Sequence, residues 1–310
     1  MTGRIIQTTG SWYQVKVGKD ILPARLKGKF KLDELDTTNP IAVGDRVTLE
    51  KAENSSELVI SEILERKNYI VRQSPRHKHQ RHIIASNIDQ AIVFASITQP
   101  RTSLGFIDRF IAAAECYHIP VKIIVNKIDL LREKDKVTLE DWKETYSHIG
   151  YELIPVCAMD PADIEKIRKL ISHKTSLISG HSGVGKSTLL NQINPALDLK
   201  TGVISTKWGK GMHTTTFATM YEVLPDSFVI DTPGIKEFAL LHVEPEELSG
   251  YFVEMRAMNG KCQYNNCKHI NEPNCAVIEA VENGEIAISR YESYLGILDN
   301  IESTNYWERK

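Results

Sequence analysis

The spacing of apolar residues changes character twice along the 310 residues of the chain. Up to about residue 68 the apolar runs are short and alternate with polar positions. GRIIQTTGSWYQVKV holds two such runs around a Thr-Thr-Gly-Ser break, the pattern of a hairpin. ILPARLKGKFKL, AVGDRVTLE and ELVISEIL follow, separated by Asn, Pro and Gly. Four or five short strands bounded by turn residues predict a small all-β barrel, of the OB type in preference to an SH3-like module. From about 83 to 240, runs such as QAIVFAS, VKIIVNK, ELIPV, TSLIS and SFVID alternate with helical segments such as LGFIDRFIAAAECY and GKSTLLNQI. Near-continuous apolar strands alternating with helices predict a parallel sheet covered on both faces. From 241 to 310 the helical period returns, in EPEELSGYFVEMRAM and from Ile288 through Tyr291 and Leu295 to Leu298, around a cysteine-rich loop. The expected organisation is multidomain: a barrel over 1–68, a flexible basic linker over 69–82, an α/β domain over 83–240 and a mostly helical tail over 241–310.

Composition narrows the class. Hydrophobic residues make up 42% and charged residues 25%, as in ordinary soluble domains. No run approaches the roughly 18 apolar residues of a membrane span. The start, MTGRIIQTTG, lacks the apolar stretch of a secretory signal, so a cytoplasmic location is expected. The net charge of −2 conceals an asymmetry: residues 1–82 carry 15 Lys and Arg against 10 Asp and Glu, whereas 241–310 carry 6 against 12. In the linker, Arg72, Arg76, Lys78 and Arg81 have no acidic neighbour and lie among His77, His79 and His82. Beside an OB-type barrel such a run points to contact with a polyanion such as RNA; a solvated tether is the plainer alternative.

The chemistry sits at the ends of the predicted strands, where open α/β sheets bind ligands. Gly180, His181, Ser182, Gly183, Val184, Gly185, Lys186 and Ser187, with Thr188 next, fit the P-loop spacing after the strand TSLIS. Glycines let backbone N–H groups curl around a phosphate, the following helix adds the positive end of its dipole, Lys186 reaches the β- and γ-phosphates, and Ser187 ligates magnesium. Asp231-Thr232-Pro233-Gly234 ends the strand SFVI, which suits Asp231 to hold magnesium through a water and Gly234 to offer its N–H to the γ-phosphate. Asn126-Lys127-Ile128-Asp129 selects the base: a carboxylate at Asp129 pairs with N1–H and the amine of guanine and is left unpaired against adenine. Lys127 covers the base face, and Cys157-Ala158-Met159 presents a backbone N–H to the guanine carbonyl.

The stretch Thr201–Thr216 is glycine-rich and predicts a loop ordered by magnesium and γ-phosphate, with Thr215, then Thr214, as the magnesium ligand. Ile235 stands where many GTPases place a water-orienting glutamine, so unaided hydrolysis is expected to be slow. His213 is the candidate to position water, with His82 behind it; packing of the loop is the alternative role for His213. Cys262, Cys267, His269 and Cys275 supply three thiolates and an imidazole within one loop, a set suited to closed, structural zinc. Cys116 and Cys157 stand apart from that group.

Together these motifs resemble the TRAFAC-class GTPases in a rearranged order, with the base motifs ahead of the P-loop. That order, with the barrel in front and the Cys/His cluster behind, resembles the circularly permuted YjeQ/YloQ family along essentially the whole chain. The resemblance implies GTP hydrolysis stimulated by a partner, late maturation of the small ribosomal subunit, contact with ribosomal RNA, departure after hydrolysis, and a monomer. Two other classes stay open from the residues alone: a P-loop kinase, which NKID argues against, and an RNA-binding module holding nucleotide as a structural ligand.

Overall fold

The computed structural model describes residues 1–27, 40–52, 57–73, 81–199, 218–231, 240 and 243–308. Five strands open the chain: β1 (Thr2–Thr9), β2 (Trp12–Val17), β3 (Asp20–Leu26), β4 (Arg46–Lys51) and β5 (Leu58–Ile63). They pair in the order β1-β2-β3-β5-β4, and β4 returns to β1, which closes the barrel predicted from the sequence. The β3–β5 pair is parallel and the others antiparallel. Alternate residues point inward, so Ile5, Tyr13, Val15, Ala24, Ile41, Val47, Leu49 and Ile60 form one core.

The segment read as a flexible linker has strands at both ends: β6 (Tyr69–Gln73) pairs antiparallel with β7 (Arg81–Ser86), placing Arg72 opposite His82. The β-branched and aromatic residues around the basic run, Tyr69, Ile70, Val71, Ile83 and Ile84, favour a paired ladder, and its charges mask that signal. Arg76 and Lys78 lie outside the described residues.

The α/β unit follows, with β8 (Gln90–Ala95), α1 (Leu104–Cys116), β9 (Val121–Asn126), α2 (Glu133–His148), β10 (Glu152–Val156), α3 (Pro161–Ile171), β11 (Thr175–Gly180), α4 (Lys186–Ile193), β12 (Thr219–Leu224) and β13 (Ser227–Asp231). The sheet runs β10-β9-β8-β11-β13-β12, parallel except for β12, which forms a hairpin with β13. Every residue of β8 is buried, and its alternate side chains serve two cores. Ala91, Val93 and Ala95 pack toward α1 and α2, whereas Ile92 and Phe94 pack with residues of α3 and α4.

The tail differs from the expected helices. Residues Pro245–Tyr251 form 3-10 turns and only Val253–Arg256 (α5) closes into an α-helix; Pro245 starts the first segment, where proline is tolerated, and Gly250 weakens its end. Two further helices, α6 (Ala276–Glu282) and α7 (Ile288–Glu308), complete it. Leu248, Phe252, Tyr294, Ile297 and Leu298 join the same core as α1, so the tail packs continuously on the sheet unit. Among the described residues no helix is long and apolar enough to cross a membrane.

The barrel is tied to the sheet by several contacts. Gln7 of β1 pairs with Thr219 of β12. Arg4 donates to Thr175 Oγ1 at 3.1 Å while its guanidinium lies 4.7 Å from the Phe228 ring centre. Buried Asp45 accepts from Arg66 at 2.7 Å and from Ser86 Oγ at 2.6 Å, which ties the barrel to the β6–β7 ladder that leads into the sheet.

Candidate nucleotide site and metal centre

Each motif on the sheet emerges from the carboxyl end of a strand. The chain leaves β11 through Gly180, Gly183 and Gly185, with φ of +151°, +82° and +101°, conformations that cost glycine little. A Cβ on Gly185 would collide with the Asn126 side-chain nitrogen, so this glycine is also required by close approach. Helix α4 begins at Lys186, as the P-loop spacing predicts, and Ser187 is buried in its first turn. Lys186 Nζ folds back onto the loop, donating to the carbonyls of Gly180 at 2.5 Å and His181 at 3.1 Å. Ser182 and Gly183 are exposed at the loop tip, Val184 is buried beneath it, and Thr188 is half-buried on α4.

Asn126, only 1% exposed at the end of β9, holds three loops together. Its Nδ2 donates to the Val184 carbonyl at 2.9 Å, and its Oδ1 accepts from Ala158 N–H at 3.1 Å. Lys127 takes a left-handed conformation (φ +66°), turning the chain into the 3-10 segment Ile128–Leu130 and leaving Asp129 exposed. Lys127 Nζ donates to the Gln99 carbonyl at 2.6 Å. On the neighbouring loop, Cys157 N–H donates to Asp163 Oδ2 at 2.8 Å. Burial raises the Cys157 thiol pKa, and a hydrogen bond to the Asp129 carboxylate raises it further, which places the NKID and Cys157 loops side by side.

At the phosphate end, burial pushes the Asp231 carboxyl up to about 6, against the pull of Lys186, whose own pKa burial lowers. A buried carboxylate and a buried hydroxyl beside the lysine are oxygen ligands of the kind magnesium takes, so the residues fit that ion. His213, Thr214, Thr215, Gly234 and Ile235 lie outside the described residues.

In the tail, the ligand atoms of Cys262, Cys267, His269 and Cys275 all lie within 4.8 Å of one another. Ordinary zinc–sulfur and zinc–nitrogen bonds in a tetrahedron place two sulfurs about 3.8 Å apart and a sulfur and nitrogen about 3.6 Å apart. Here Cys262 Sγ and Cys275 Sγ are 3.9 Å apart, and His269 Nδ1 lies 3.6 and 3.3 Å from them. The donors fit one zinc ion. Around them, Tyr291 and Tyr294 donate their hydroxyls to the carbonyls of His269 and Lys268 at 2.6 and 2.7 Å. Glu272 accepts from the N–H groups of Lys268, Ile270 and Asn271, and these bonds outweigh its burial and hold its pKa at about 2. Such partners orient a ligand loop from behind.

The sequence profile described as RsgA GTPase matches residues 63–241, more than half of the chain, and the RsgA N-terminal domain profile matches residues 2–60. The chain belongs to the RsgA GTPase family. Its enzyme class is therefore GTP hydrolase. The small ribosomal subunit biogenesis GTPase RsgA 2 of Bacteroides thetaiotaomicron is 46% identical over 99% of both chains. The RsgA of Flavobacterium johnsoniae is 48% identical over 97% of this chain and 94% of its own. Among solved structures, YjeQ from Thermotoga maritima matches with a TM-score of 0.76 and 34% identity, covering 97% of this chain and 98% of that one. YloQ, a circularly permuted GTPase, matches with a TM-score of 0.74 and 29% identity, covering 98% and 95%.

In this RsgA-family chain the largest feature missed from the sequence is a buried ion cluster. Arg290 of α7 bonds to Asp108 of α1 and to Glu254 of α5, and Tyr146 of α2 donates to the same Asp108. One signal was available: Ile286, Arg290, Tyr294 and Ile297 lie at helical spacing, which puts an arginine on the apolar stripe.

Proposed function

We propose that this chain binds GTP along the carboxyl edge of the parallel sheet, hydrolyses it on the small ribosomal subunit during late maturation, and leaves when hydrolysis is complete. The Asn126 carboxamide carries this reading, because it ties the base-reading loops to the P-loop and so unites guanine and phosphate recognition in one pocket. Asp129 grips the guanine edge, Lys127 covers its face, and the Cys157-Ala158 backbone meets its carbonyl. Gly180 through Thr188 wrap the phosphates, with Lys186 swinging from the loop carbonyls to the β- and γ-oxygens. Ser187, Thr215 and, through water, Asp231 hold magnesium, which when bound neutralises charge on those oxygens. Gly234 senses the γ-phosphate, and His213 positions water. Arg72, Arg76, Lys78 and Arg81 meet ribosomal RNA beside the barrel, and the zinc in the tail is structural. The protein works as a cytoplasmic monomer.

GTP turnover measured with and without purified small ribosomal subunits tests the reading. At least a tenfold stimulation is expected, lost in His213→Ala with GTP affinity retained. Equal turnover in both conditions would refute the coupling. The base assignment has a separate test: Asp129→Asn should shift preference from GTP to xanthosine triphosphate, whose ring carries a carbonyl where guanine has an amine.

A further inference from the structure

A cavity of about 730 Å³ opens between α1, α7 and the start of the P-loop, within the size range of small-molecule sites. Leu104, Phe106, Phe110 and Ile297 give it apolar walls, and Arg109 supplies a guanidinium. Four arginines are perturbed by burial, and three of them are satisfied: Arg4 by Thr175, Arg66 by Asp45, and Arg290 by Asp108 and Glu254. Arg109 is the exception, since burial lowers its pKa and no hydrogen-bond or ion-pair partner stands within reach among the described residues. Its neighbour Asp108 is committed to Arg290 and Tyr146, and Glu292 at the rim is exposed and unpaired with it. A partly desolvated cation with nothing to balance it is costly, and an anion that fills the space removes that cost. Gly296 on α7 adds room, because a Cβ there would meet nothing within 4 Å.

We propose that this cavity binds a small organic anion, its carboxylate, sulfonate or phosphate against Arg109 and its aromatic or aliphatic body between Phe106, Phe110 and Ile297. The site borders the nucleotide pocket. The Phe106 ring lies 4.2 Å from the His181 ring, and the His181 carbonyl is one of the two that hold Lys186. An occupant braces that contact from α1 and α7 together, and so slows nucleotide release.

The probe is 8-anilinonaphthalene-1-sulfonate, titrated by fluorescence into the full-length, zinc-loaded protein, with the uncharged N-phenyl-1-naphthylamine as control. Saturable one-to-one binding of the sulfonate is expected, weakened at least tenfold in Arg109→Gln and in Gly296→Leu. Arg109→Gln should leave binding of the uncharged control unchanged. Both substitutions place good helix formers in helices, so zinc content and GTP affinity should match the unaltered protein. Saturating sulfonate should slow release of a fluorescent GDP at least twofold in the unaltered protein and in neither variant. Absence of saturable binding, unaltered affinity in either variant, or simple competition with GTP would each overturn the proposal.

Discussion

Arg290 and Asp108, 182 positions apart in the chain, meet at 2.8 Å with side chains 1% and 0% exposed. Glu254 accepts from the other side of the guanidinium at 2.7 and 3.1 Å, and the Phe252 ring centre lies 4.5 Å from it. The two carboxylates hold Arg290 more firmly protonated than an ordinary arginine, although burial acts in the opposite direction. Asp108 is raised by burial, which outweighs the guanidinium and the Tyr146 hydroxyl. The cluster locks the tail that carries the Cys/His group onto α1, at the centre of the core they share.

Removing one member of such a cluster strands the others in the interior. Arg290→Met should lower the free energy of unfolding by about 3–5 kcal/mol, as for other buried pairs that lose one partner. Adding Asp108→Asn to that variant should recover part of the loss. Chemical denaturation reads both effects, and a loss below about 1 kcal/mol for Arg290→Met would show that the cluster is not what fixes the tail.

Asn126→Ala removes two buried hydrogen bonds at once and frees the Val184 and Ala158 loops from each other. GTP and GDP affinity should fall at least tenfold, with thermal stability reduced by about 1–3 kcal/mol for the carbonyl and N–H left unpaired. Gly185→Ala, which drives a methyl into the same carboxamide and strains a positive φ, should reproduce the loss of affinity. Wild-type nucleotide binding in Asn126→Ala would separate the base and phosphate loops functionally.

The buried Asp231 carboxyl, raised to about 6, makes the nucleotide-free protein less stable as pH rises. The folded protein holds this proton up to about pH 6 while the unfolded chain releases it near pH 4, so the loss accumulates between those values and is complete above them. Asp231→Asn should therefore stabilise the nucleotide-free protein at pH 7.5, by up to about 3 kcal/mol, and not at pH 4. The same variant should bind magnesium–GTP more weakly, exchanging function for stability. Identical unfolding curves for both proteins across this range would contradict the burial of that charge.

Zinc removal should loosen the tail selectively. Without metal, burial and the neighbouring Cys275 push the Cys267 thiol up to about 12, and three sulfurs stay crowded into one loop. A strong chelator, or Cys267→Ser, should release one zinc per chain and open residues 257–275 to proteolysis. Nucleotide binding should change less than twofold, since the P-loop and NKID loops draw no support from these ligands. A chain that carries no zinc after purification with the metal supplied would dismiss the assignment.

Much of this protein is written locally. Barrel strands, P-loop, NKID and the Cys/His loop were all legible because each depends on spacing within some 15 residues: alternation for strands, glycines where φ is positive, donors close enough to surround one ion. The β6–β7 ladder was obscured because its charges resemble a tether, and the broken helix before α5 because propensity conflicts with apolar period there.

What only the tertiary structure decided is which distant groups share a wall. Asn126 beside Val184, Arg4 beside Phe228 and Arg290 beside Asp108 are facts of packing between positions 58 to 224 residues apart, and Arg109 is half-buried with no acidic partner among the described residues. A buried charge is indistinguishable in sequence from a solvated one, since its energy depends on neighbours that no local pattern specifies.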